Sequence, residues 1–249
     1  MSDQTPQDVC EQNTRRTMRP GWALAVSLLL PCLLYAGVVL VAGDPLFVFS
    51  KVQPGRESRA ALAIRDDVIP FFKWGTLLFT RQYLRKQYAE SWYFTQAAKG
   101  DCQEEFTVAL QHALETYPAV DLYLLAHTNR YIRWVEGLPE AQRQRIRFVY
   151  NTGCHNQKQG EDWLALGADA YIGHPGVSES PFFYFFLLRH WLHGATLEEA
   201  LALGNARMDL KFRQLEWVTR GQFKAERLMT ESRAALMGNA DLRLEDTAP

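Results

Sequence analysis

Three stretches of this chain end in side chains able to attack a carbonyl or move a proton. The run DLYLLA at 121–126 is followed by His127, RFVYN at 147–151 continues through Thr152 and Gly153 into Cys154 and His155, and ADAYI at 168–172 leads through Gly173 to His174. A thiolate is a strong nucleophile, and an imidazole titrates near neutrality, so it can hand a proton to a departing group. A Cys and a His together are therefore the minimum for covalent hydrolysis: Cys154 as nucleophile, His127 as acid–base partner. The same four side chains are zinc-ligand types, but adjacent residues such as Cys154 and His155 seldom bind one ion. The thiol chemistry needs no metal and no cofactor. Against it stands a plainer reading, since cysteine is among the most buried residue types and Cys154 could simply pack.

Side chains about 27 residues apart meet only if the chain between them returns to lie beside its start, as in a β-α-β unit. The surrounding pattern supplies such units. A helix is expected over 77–88, an aromatic strand over 91–95, a helix over 104–116, and a strand at 121–126 whose continuous apolar run reads as covered on both faces. A short helix at 140–145, a strand at 147–151, a helix at 161–166 and a strand at 168–172 follow. This alternation predicts an α/β domain with a mostly parallel sheet, whose ligands sit beyond the carboxyl ends of the strands. Those ends carry His127, Cys154 and His174.

After Pro181 the segment FFYFFLLRHWLHG is strongly apolar and is expected in the core, with a bilayer contact for residues 182–186 as the alternative. Thr196 and Glu199 form a capping box for the helix that follows, and helix is expected to about residue 236. His190 and His193 lie on one helical face, a packed pair rather than a metal site. Glu161, Asp162 and Glu179 read as solvated helix starts, with a pocket for a basic substrate side chain as the alternative.

The 249 residues carry a net charge of −1, so composition supplies no basic field and no nucleic-acid partner is expected. The run WALAVSLLLPCLLYAGVVLVAG bears no charge from about Trp22 to Val41. That length suffices to cross a hydrocarbon core, which needs about 20 residues rising 1.5 Å each, whereas the apolar region of a cleaved signal peptide is shorter. The expected organisation is a polar tail at 1–21, a transmembrane helix at 22–43, a connector at 44–70 and the α/β domain at 71–249. The connector holds Pro45, Pro54, Gly55 and Pro70, and its apolar piece 46–49 is either a first strand or interfacial packing. Arg15, Arg16 and Arg19 before the span favour a cytoplasmic N-terminus and a domain on the outer or periplasmic side, although Lys51, Arg56, Arg59 and Arg65 oppose this. The lipid bilayer is thus one expected partner. Of the four cysteines, Cys10, Cys32, Cys102 and Cys154, only the last two could pair in an oxidising compartment.

Four segments, VDLYLLAHTN, VYNTGCHN, GADAYIGHPGVSESPFFYFFLLRHWLHGATLEEAL and MGNADLRL, occur in this order between about Asp101 and Leu244. Together they resemble the caspase-like cysteine peptidases, in particular the gingipain-like and CHAT-type branches. In that family a histidine ends one strand and the cysteine ends the next, a glycine-alanine strand precedes a helix, a glycine and a second helix, and a short ending of the GDP-x-L-R-L kind closes the domain. The resemblance implies a caspase-haemoglobinase-like sheet covered by helices, with Cys154 and His127 as the catalytic dyad. It implies an oxyanion site from the Cys154 amide and an amide near Thr128 or Asn129, with Gly153, His155 and His174 around the pocket. The implied partner is a peptide or protein. The family usually places glycine after its histidine, where this chain has Thr128, and that departure motivates the alternative of a catalytically degenerate, membrane-attached binding or scaffold module.

Overall fold

The chain RAALAIR, Arg59–Arg65, forms the strand β1 near the middle of a six-stranded sheet, inside the stretch expected to be a connector. Alanine is depleted in strands, so three alanines in seven residues conceal it from a propensity reading. Every residue of β1 is buried.

The computed structural model describes Leu29, Leu33 and residues 51–65, 70–95, 102–126, 130–178 and 180–246. The polar tail, the apolar span at 22–41 and the piece 46–49 lie outside the described residues, apart from Leu29 and Leu33, which are helical and exposed. Among the described residues no helix is long and apolar enough to cross a membrane. The chain divides into units at 1–46 and 47–249, and the second carries the fold.

After β1 come α1 (Pro70–Gln87), β2 (Glu90–Thr95), α2 (Gln103–Thr116), β3 (Ala119–Leu125), α3 (Arg130–Glu136), α4 (Glu140–Arg143) and β4 (Ile146–Asn151). Then follow α5 (Gln159–Ala165), β5 (Ala170–Gly173), α6 (Ser180–Trp191), α7 (Leu197–Val218), α8 (Ala225–Ser232) and β6 (Ala235–Gly238). The sheet order is β2-β1-β3-β4-β5-β6, parallel throughout except for the antiparallel pairing of β5 with β6. The α/β class with a mostly parallel sheet is therefore as expected. Helix α1 begins earlier than the pattern suggested because Pro70 occupies its first position, where the fixed φ suits a helix and no N–H is needed. The long C-terminal helical run is broken in two and ends in the edge strand β6.

Strands β1, β3, β4 and β5 are buried along their whole length, whereas the edge strand β2 is only half-buried. Alternation along the strands gives each face its own layer. Leu62, Ile64, Leu122, Leu124 and Val149 pack with Phe106, Leu110 and Leu114 of α2, Tyr131 and Val135 of α3, and Trp163 of α5. Tyr123, Phe148 and Tyr150 point to the other face, where Trp191 and Tyr184 of α6 meet them. The Thr196–Glu199 capping box at the start of α7 is present in both directions.

At the amino end of the sheet lies a buried polar cluster. Asp121 of β3 accepts two bonds from Arg147 of β4, at 3.0 Å from Nε and 2.5 Å from Nη2, and both side chains are fully buried. Tyr88 donates to the same carboxylate at 2.6 Å, Tyr123 lies 2.7 Å from the Tyr88 hydroxyl, and Trp191 donates to Tyr123. Arg147 also donates to the carbonyl of Leu244 at 2.8 Å, and Arg59 donates to Leu244 and Gln87. Two buried guanidinium groups thus clasp the ending DLRL to the sheet. Burial works against the charge of Arg147, but the Asp121 carboxylate outweighs it and holds the pKa above the usual arginine range.

Candidate active site

The opposite, carboxyl end of the sheet carries the thiol. β1 is flanked by β2 on one side and β3 on the other, so the topological switch point lies between β1 and β3, where open α/β sheets bind ligands. His127 comes two residues after the end of β3. Strand β4, which leads to Cys154, is the next neighbour of β3, with Leu124 opposite Asn151. His127, Thr128 and Asn129 themselves lie outside the described residues.

The turn that carries Cys154 is bound to the end of β3. The amide of Thr152 donates to the Leu124 carbonyl at 2.8 Å. The side-chain oxygen of Asn151 accepts from two backbone amides, Ala126 at 3.1 Å and Gly153 at 3.0 Å, and so ties the residue before His127 to the residue before Cys154. Gly153 lies so close to β3 that a Cβ there would fall 1.9 Å from the Ala126 carbonyl oxygen. Only glycine permits that approach. Its amide is taken by Asn151, so its contribution is proximity rather than a free oxyanion donor.

Cys154 is partly exposed, and its sulfur accepts the amide of Ser178 at 3.4 Å. A hydrogen bond to a thiolate is stronger than one to a thiol, so this donor suits the nucleophilic form. His155 follows with a left-handed φ of 53°, which turns the chain back. Asn156 then bonds the Asn151 carbonyl through Nδ2 at 3.1 Å and accepts the His174 amide at 2.8 Å.

The loop 174–178 that supplies Ser178 is braced by the end of α8. His174 Nδ1 donates to the Ser232 carbonyl at 2.7 Å, the Ser232 hydroxyl bonds the Val177 carbonyl, and Gly176 packs against the Glu231 carbonyl so closely that a Cβ would lie 2.5 Å away. The His174 ring is fully buried against Phe183 and Tyr150, and its Nε2 has no hydrogen-bond partner among the described residues. Burial pulls its pKa down to about 4, only partly offset by the Ser232 carbonyl, so the ring is neutral with its proton on Nδ1.

Of the residues expected around the pocket, Gly153 and Cys154 are therefore at the junction of β3 and β4. His155 and His174 lie on paired backbone segments but differ in setting: His155 is exposed, with Nδ1 on the Pro175 carbonyl, and His174 is a buried brace. Among the described residues no three metal-ligating side chains converge. Cys102 and Cys154 are both partly exposed and are not joined to each other, and Cys102 precedes α2 and packs on the core. His193 bonds the Arg189 carbonyl. Glu161 and Asp162 are exposed in the first turn of α5, as the helix dipole favours.

Two positioning residues escaped the sequence reading. From its position Asn151 reads as the last residue of a strand, although an Asn directly before a T-G-C turn is a side chain able to bind local amides. Arg65 ends β1 beside Leu125, buried over the Tyr93 ring, with Nη2 donating to Thr95 while Nε and Nη1 have no hydrogen-bond partner among the described residues. Its signal was hidden with that of β1. Compared with known proteins, the chain matches no protein-family model and no curated sequence.

Proposed function

We propose that this chain is a membrane-anchored, caspase-like cysteine peptidase in which Cys154 and His127 cleave a peptide or protein bond. The observation that carries the reading is the contact of Gly153 on Ala126, because these residues immediately precede the two members of the dyad on adjacent parallel strands. The partly exposed sulfur with an N–H donor from Ser178 adds to it. In the reaction the Cys154 thiolate bonds to the scissile carbonyl carbon, the carbon–nitrogen bond breaks, and protonated His127 delivers its proton to the leaving amine. Water then attacks the thioester, His127 takes its proton, the carbon–sulfur bond breaks, and the acid product leaves as the thiolate and protonated His127 are restored. The apolar run at 22–41 anchors the domain, with the arginines before it holding the N-terminus in the cytoplasm.

The test is alkylation of the native full chain by iodoacetamide across pH, followed by mass spectrometry. Cys154 is expected to react well below the pH at which Cys102 does, and His127→Ala to shift its reaction to higher pH. Incubation with a diverse peptide pool should yield cleavage products that Cys154→Ala abolishes. A Cys154 inert in the native chain, with identical peptide profiles for wild type and Cys154→Ala, would sink the peptidase reading. Thr128, standing where the family usually has glycine, favours the second reading of a degenerate binding or scaffold module. That reading requires Cys154→Ala to leave the biological activity intact.

A further inference from the structure

Helix α7 packs on the domain through Leu197, Ala200, Gly204, Met208 and Phe212, and its opposite face is open to solvent. Leu203, Leu210 and Trp217 are exposed on that open face at 47, 44 and 83 %. Their heptad spacing drifts only about 20° per repeat, so they form one apolar line about 21 Å long. Val218 and, in the turn after the helix, Phe223 extend it at 68 and 51 % exposure. Arg207 and Lys211 flank the line on one side and Arg213 on the other, at about 100° per residue. Arg220 and Lys224 stand at its end. The acids of this stretch are engaged: Asp209 faces Arg233 at 3.8 Å and Glu216 faces Lys224 at 3.8 Å. Arg207, Arg213 and Arg220 form no ion pair with a described residue.

We infer that the outer face of α7, from Leu203 to Lys224, docks on an anionic lipid bilayer. An exposed tryptophan on an apolar line with arginines and lysines along its borders is the pattern of a helix lying in a membrane interface, where indole sits at headgroup depth and the cations meet lipid phosphates. Charge selects this occupant over a second copy of the chain. Basic residues border the line on both sides, so a two-fold pairing of α7 with itself sets like charges against each other, whereas an anionic surface neutralises them all. The inference rests on neither Cys154 nor the apolar span at 22–41, because a chain without an anchor would dock by the same face.

The full chain is combined with vesicles containing brominated lipids, either zwitterionic phosphatidylcholine alone or with phosphatidylglycerol, and tryptophan quenching is compared between wild type and Trp217→Phe. The difference isolates Trp217 from the other six tryptophans. Trp217 should be quenched in the anionic vesicles, less in the zwitterionic ones and less in high salt. The variant Arg207→Glu/Lys211→Glu/Arg213→Glu should lose that quenching, with vesicle affinity of the face falling about fivefold or more for each charge removed. Arg207, Arg213 and Trp217 are exposed and Lys211 is half-buried at the border, with its amine on Gln214, and far-ultraviolet circular dichroism verifies that the variants fold. Unquenched Trp217 in anionic vesicles overturns the inference. So does a Trp217 shielded from aqueous iodide yet unquenched by the brominated lipid, with two chains per particle, which identifies a second copy as the occupant.

Discussion

Gly153 lies backbone to backbone against Ala126, leaving no room for a methyl group: a Cβ at Gly153 would stand 1.9 Å from the Ala126 oxygen and 2.6 Å from its carbonyl carbon. Both atoms belong to a buried strand end, so neither can swing away as a flexible side chain would. Gly153→Ala is expected to cost at least the upper part of the overpacking range, about 3 kcal/mol, or to push the Cys154 turn off β3. Thermal unfolding reads the first outcome and Cys154 alkylation the second. A variant with unchanged melting temperature and unchanged alkylation would show that the two strand ends are not in contact.

Asn151 holds the same junction by accepting the amides of Ala126 and Gly153 with one oxygen. Its Nδ2 donates outward to Gln159 at 3.1 Å. Asn151→Ala strands two buried donors, a loss of about 1–3 kcal/mol for each group left unpaired. Asn151→Asp keeps the acceptor but puts a carboxyl group at a fully buried site, so at acid pH, where that group is protonated and uncharged, it should unfold at higher denaturant than the alanine variant. Equal midpoints for the two would mean that the bridging oxygen contributes nothing.

The strands at 121–126 and 147–151 were legible because strands covered on both faces are written as unbroken apolar runs, and their ends named His127 and Cys154. The order of types along the chain also made the α/β class and the capping box at Thr196 readable. β1 was not, because its alanines mimic helix or linker, and with it went Arg65 and the position of the switch point. His155 and His174 were legible as imidazoles at strand ends but not as one exposed and one buried ring. That difference depends on how α8 folds back on the loop 174–178, a contact made by Glu231 and Ser232 more than fifty residues later.

His174 gives the fold a pH dependence. Its pKa is pulled to about 4 by burial, below the value of about 6.5 in an unfolded chain, so between these values the unfolded state binds more protons than the folded one. Stability therefore falls as pH drops from about 6.5 towards 4, by an amount on the order of 3 kcal/mol across the window. Denaturant unfolding at a series of pH values should show the slope in wild type and lose it between pH 6.5 and 5 in His174→Gln, where few carboxylates titrate. The same slope in both proteins would assign the effect to other groups.

The pair Asp121 and Arg147 offers a sharper test, because its two halves respond to acid in opposite ways. Removing either partner leaves a buried charge without its counter-ion, an expected cost of about 3–5 kcal/mol. In Asp121→Asn the orphan is a guanidinium that cannot lose its proton, so the loss persists at every pH. In Arg147→Met the orphan is a carboxylate, which escapes by binding a proton. Its folded pKa then exceeds the unfolded one, and the stability it contributes is present at low pH and lost as pH rises through the folded value. Relative to wild type, Arg147→Met should therefore recover on acidification while Asp121→Asn should not. Both variants should also free the ending at Leu244, whose carbonyl Arg147 holds at 2.8 Å, and limited proteolysis would detect its release. Parallel pH profiles for the two variants would mean that the pair is hydrated rather than buried.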